Sequence, residues 1–234
     1  GSEEETTSVV NIAHQFLLLL LTSKKHGIVF KALSEKRQNV RQLQVIKMFG
    51  SVWNQEHQSM LVIEIIKSCP DLMQNVLNRL VMGLQPKLTT NWFMCANFTR
   101  ELLSTLEPST MFASFSMLEP KKISTNIIKL SISQFILQNL NERALIQQDS
   151  LEVRETSVQL LHLMLSRCCK YLDEVRKIST MKDFEKHRIK FDIINHIFTF
   201  YPKIDIILNS LYRSINLSTR KKSEENDKLV KSQL

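Results

Sequence analysis

In "IIKSCPDLMQNVL" a cysteine, Cys69, stands directly ahead of Pro70 and Asp71. A helix N-terminus or a neighbouring base is what lowers a thiol's pKa toward reactivity, so this is the arrangement closest to nucleophilic chemistry. The two following residues argue the other way. Proline suits the first helical position, where its missing N–H is an orphan in any case, and aspartate in the first turn complements the helix dipole. Asp71 also opposes a thiolate beside it. Cys69-Pro70 therefore reads as punctuation between two helices, and Cys95, Cys168 and Cys169 as small thiols buried within helices. None of the four has the spacing of a disulfide framework and no signal-peptide pattern precedes them. A reducing nuclear or cytosolic compartment is expected.

Other chemistries find less support. His14, His26, His57, His162, His187 and His196 are scattered, with no H-E-x-x-H or C-x-x-C pair. His162, inside a leucine-rich helix, reads as an interior or groove histidine. Gly27, Gly50 and Gly83 stand alone, so no glycine-rich phosphate loop can be assembled from them. Glu64, Asp71, Glu101, Asp183 and Asp192 form no recognisable constellation, although only a structure decides which carboxylates pair. The expectation is a protein that is not an enzyme, with no catalytic residue, no cofactor and no metal.

Charge is more informative. The formal net charge is +8, which permits phosphate or acidic partners without demanding them. Lys24, Lys25, Lys31, Lys36, Arg37, Arg41 and Lys47 face a single acid, Glu35. A second cluster, Arg176, Lys177, Lys182, Lys186, Arg188 and Lys190, is opposed by Asp183 and Glu185. Two readings stand side by side: solvated helix faces, or ridges that take RNA phosphates with salt-dependent affinity. Phe30 alone interleaves with the first cluster, so shape and backbone contact to structured RNA would be the mode. Phe112, Phe115, Trp53 and Trp92 read as core.

These side chains need elements to hold them. Four glycines and five prolines in 234 residues are too few for the turns of a sheet protein, and 43% apolar residues suffice for a core. Gly1-Ser2 reads as a cloning remnant, residues 3–217 as one α-helical repeat domain, and residues 218–234 as a charged, disordered tail. The run "FLLLLL" is far shorter than a membrane span and reads as a buried helix, with Gly27 as its C-terminal cap. Asn39 is placed to cap the next helix, Thr89 to Asn91 to open another, and Ser150 to cap "LEVRETSVQLLHLML", with Leu151, Val158, Leu161 and Leu165 on one face. Pro108 and Pro120 break the middle, and Ile127 to Leu140 resumes a helix. Helices follow from Met181 to Phe200 and from Ile204 to Ile215. About eight to ten helices with short links imply an all-α fold. Asp149, Val153 and Arg154 match the second-helix signature of HEAT repeats, so an irregular HEAT/armadillo-like α-solenoid is expected.

Four stretches in order carry a family resemblance: "LLLLTSKKHGIVF", "IIKSCPDLMQNVL", "TTNWFMCANFTRELL" and "LEVRETSVQLLHLMLSRCCKYLDEV". Together, from Val10 to Val175, they resemble the amino-terminal region of the nucleolar pre-ribosomal-associated (Urb/Npa) family of 60S biogenesis factors. The resemblance implies a nucleolar, non-enzymatic helical scaffold that works on early large-subunit precursors. It implies as partners pre-ribosomal RNA, large-subunit assembly factors including a DEAD-box helicase, and small nucleolar ribonucleoproteins, with no membrane association. A protein–protein adaptor without direct RNA contact is the alternative that the same residues allow.

Overall fold

A computed structural model describes residues 2–29, 39–112, 115–146, 150–213 and 215–216. The expected tail at 218–234 lies outside these residues. Every regular element among them is helical. They are α1 (Ser2–Thr22), α2 (Val40–Met48), α3 (Glu56–Ser68), α4 (Met73–Leu80), α5 (Thr90–Thr105), α6 (Pro108–Phe112), α7 (Pro120–Ser131), α8 (Gln134–Gln138), α9 (Leu151–Lys177), α10 (Asp183–Phe200) and α11 (204–213). Short 3-10 turns sit at Val52–Asn54 and Pro70–Leu72, and a π-helical run, Asn139–Ile146, follows α8.

Local signals account for most boundaries. Thr89 caps α5 by accepting from the Trp92 N–H at 3.3 Å, and Ser150 caps α9 by accepting from Val153 at 3.3 Å. Cys69 ends α3 in a non-helical conformation, its N–H still donating to Ile65 at 2.7 Å, and Pro70 opens the next turn. Asn39 stands at the start of α2 as expected, but its side chain is not the cap. Its amide donates to Asp71 Oδ1 at 2.9 Å and its backbone N–H to Oδ2 at 3.2 Å, which fastens α2 to the α3–α4 joint. Gly27 does not adopt the left-handed cap conformation. It lies tight over the end of α1, where a Cβ would meet the carbonyl oxygens of Leu20, Ser23 and Leu19. Pro120 starts α7 rather than breaking the chain, because proline fits a first turn. The helix expected from Ile127 to Leu140 is therefore cut at Ile132-Ser133, between α7 and α8.

The core runs through the middle of the chain. α1 packs on α3, α3 on α5, and α5 on α9, while α9 also meets α6, α7, the π-helical run and α10. Along α9 the buried positions are Val153, Arg154, Ser157, Leu160, Leu161, Met164, Arg167, Cys168, Tyr171 and Val175. Leu161 is on this face as expected, but Val158 is half-buried and Leu165 is exposed, so the inward stripe is rotated. Val153 and Arg154 both point inward. Trp92, Phe112 and Phe115 are buried, and Trp53 packs against the core, its indole N–H donating to Asn91 Oδ1 at 2.9 Å. Gly83 lets that packing close, since a Cβ there would come within 2.7 Å of both the Trp53 ring and the Cys95 sulfur. The "FLLLLL" helix is not enclosed. Leu21 is buried, but Val9, Ile12, Phe16 and Leu19 form an outward stripe on α1 that no described residue covers.

Candidate nucleic-acid interface

α9 and α10 place the second basic cluster. Both helices are oriented favourably for their charges: Arg176 and Lys177 stand in the last turn of α9, Asp183 and Glu185 in the first turn of α10. The junction is fixed by backbone and side chain together. Ile178 N–H donates to Val175 at 3.3 Å, and Glu185 accepts from the Lys182 N–H at 3.0 Å. Helical spacing then does the rest, because positions 183, 186, 187 and 190 follow an i, i+3, i+4, i+7 pattern and share one flank of α10.

That flank and the end of α9 enclose a cleft of about 290 Å³. Leu172 and Val175 form its floor, and Arg176, Lys186, His187 and Lys190 its walls, with Asp183 at one end. Lys186 reaches across to donate to the Arg176 carbonyl at 3.2 Å. His187 Nδ1 lies 2.7 Å from the Asp183 carbonyl, so Nδ1 is the protonated nitrogen and Nε2 is left toward solvent. Arg176 also pairs with Asp173 at 2.8 Å, and Lys177 with Glu174 at 2.7 Å. The hydrogen bond to Glu174 raises the Lys177 pKa. Exposed pairs of this kind contribute little, so a phosphate can exchange for either carboxylate at little cost.

The cluster is thus partly gathered. Arg176, Lys186 and Lys190 line the cleft, Lys177 stands beside it, Lys182 lies 5.9 Å from the Phe184 ring centroid, and Arg188 falls on the far side of α10. His187, not singled out with the cluster, belongs to it; the i+4 spacing from Asp183 was the available signal. The first cluster is less coherent. Lys24 and Lys25 are exposed after α1, while Arg41 and Lys47 are exposed on α2 but six positions apart, about 120° around its axis. Lys31, Lys36 and Arg37 lie outside the described residues.

Cys69 is fully buried, and burial, with Asp71 adding to it, pushes its thiol up to about 12. His162, expected in an interior or groove, is exposed, as is Cys169; both sit on the solvent side of α9. Among the described residues no group of three or more His, Cys, Asp and Glu is placed to hold a metal ion, and no helix is long and apolar enough to cross a membrane.

What fold and cleft define is an all-α protein with a cationic groove between its two longest late helices. Residues 1–94 match the family model described as Npa1, ribosome 60S biogenesis N-terminal. Nucleolar pre-ribosomal-associated protein 1 of Homo sapiens is 23% identical over 178 residues, which are 74% of this chain and 8% of that protein. The Mus musculus protein of the same name is 22% identical over 191 residues, 78% of this chain and 8% of its own length. The family model covers the first two of the four stretches that carry the resemblance, and the start of the third. The chain spans only 8% of the length of these curated relatives. No solved structure matches it.

Proposed function

We propose that this chain serves in the nucleolar assembly of the large (60S) ribosomal subunit as a non-catalytic helical scaffold, and that the α9–α10 cleft takes phosphates of pre-ribosomal RNA. Its similarity to nucleolar pre-ribosomal-associated protein 1 supports the first part. The second rests on one observation, the convergence of Arg176, Lys186, His187 and Lys190 on a cleft open to solvent. Three cations around a shallow apolar floor suit a phosphate backbone, which is recognised by charge and shape without base contacts. In this reading the helices form an irregular HEAT-like array, for which the inward Val153 and Arg154 of α9 are the supporting detail. Large-subunit assembly factors, a DEAD-box helicase and small nucleolar ribonucleoproteins are the protein-containing partners the reading includes. The test is binding to a structured pre-ribosomal RNA across a salt series, where log affinity falls by about 0.7–0.9 per log unit of salt for each phosphate neutralised. Absence of binding at low salt leaves the adaptor reading, which the uncovered apolar faces of the chain favour.

A further inference from the structure

The outward face of α10 carries Phe184, Phe191 and Phe198, seven residues apart and 66%, 68% and 83% exposed. Ile189 and Ile193 hold the opposite face in the core, and the cleft residues occupy one flank. The three rings therefore form a straight apolar ridge about 21 Å long, at 1.5 Å of rise per residue. On the next helix, α11, Ile204, Leu208 and Tyr212 are also exposed, at i, i+4 and i+8. Exposed apolar surface of this extent marks an interaction site.

We propose that this ridge docks an amphipathic helix of a protein partner whose apolar stripe covers the phenylalanines and whose flanking positions are acidic. The chemistry of the ridge selects protein over RNA. Nucleobases stack on aromatic faces, and Ile204 and Leu208 have none, whereas an apolar helix face packs equally on rings and aliphatic chains. Charge selects an acidic partner. Lys182, Arg188, Lys203 and Arg213 are exposed along the two helices against Asp183 and Asp205, and Arg188 pairs with no acid among the described residues. A second copy would oppose these cations with its own, so charge disfavours self-association.

Two labelled synthetic 21-residue peptides test the surface, both with leucine at the a and d positions of the heptad, one with glutamate and one with lysine at e and g. Fluorescence anisotropy at low salt is expected to show the glutamate peptide binding at least tenfold more tightly than the lysine peptide. Phe191→Asp lowers that affinity at least tenfold and Arg188→Glu reduces the preference for glutamate. Phe191 is exposed, so retained helical circular dichroism confirms that its variant folds. Equal or absent binding of the two peptides overturns the proposal. So does self-association in sedimentation that Phe191→Asp abolishes, which assigns the ridge to a second copy. A fall in RNA affinity in Phe191→Ser, which adds no charge beside Lys190, also overturns it and assigns the ridge to base stacking. The cleft is tested apart: Lys186→Gln/Lys190→Gln lowers RNA affinity, and in that background Phe191→Asp still lowers glutamate-peptide affinity at least tenfold.

Discussion

Cys95 and Cys168, like Cys69, are fully buried, and burial raises all three thiols to about 12. At neutral pH none supplies a thiolate. Cys169 is the exposed one, so a maleimide reagent is expected to label one thiol per native chain and four in denaturant. Rapid native labelling of Cys69 would return the reactive-thiol reading. A second residue gives a pH prediction. Burial lowers the His196 pKa below 6.5, its Nε2 has no partner, and its ring lies 4.7 Å from that of Phe200. The unfolded chain takes up a proton near pH 6.5 that the folded chain refuses. Stability is therefore lost as pH falls through 6.5, until the folded histidine also titrates. Urea midpoints at pH 7.5 and 5.5 are expected to differ more for the wild type than for His196→Gln; an equal difference removes His196 as the cause. Neither the burial of Cys69 nor that of His196 could be taken from residue type, but Pro70 and Asp71 already marked the joint as structural.

Among the elements, one side chain of α9 adds hydrogen bonds to its packing on α5. Arg167, 4% exposed, donates through Nη1 to the carbonyls of Leu103 and Leu106, the latter at 2.7 Å. Those carbonyls close the C-terminal end of α5, where helix oxygens lack intrahelical partners and favour a cation. Burial lowers the Arg167 pKa, so the contact carries a desolvation cost. Arg167→Met recovers that cost but leaves two carbonyls unpaired at about 1–3 kcal/mol each. A net loss of about 1–3 kcal/mol is expected from urea denaturation; unchanged or higher stability would mean that desolvation outweighs the bonds, as it does in some buried ion pairs. Helix existence was legible here because Thr89 and Ser150 advertise their caps and Pro70 its first turn. Faces and breaks were less so. Leu165 and Leu161 look alike in a periodic pattern, and which of them is covered depends on α5, α6 and α7, brought in from elsewhere in the chain. The π-helical run has no glycine or proline to announce it. The stripe on α1 looked buried because leucines read as core until a neighbour fails to cover them.

Across the whole molecule, apolar ridges stand at α1 and at α10–α11 while the well-packed core lies between them, centred on α9. Exposed apolar surface of this extent calls for further packing or partners. The net charge permitted a phosphate or acidic partner without demanding one, and helical spacing brought Lys186, His187 and Lys190 to one flank. Spacing alone could not show that Arg176, ten residues before Lys186, meets them across the cleft, because that needs the turn after α9. Phosphate binding at the cleft is the central claim, and the most direct measurement is the salt slope of RNA affinity for the wild type against Lys186→Glu/Lys190→Glu. Both side chains are at the surface and the variant is expected to keep its fold. Weaker binding at low salt is predicted, with a slope shallower by about 0.7–0.9 for each phosphate that the variant no longer neutralises. An RNA affinity and slope unchanged by the double reversal would contradict the assignment of the cleft.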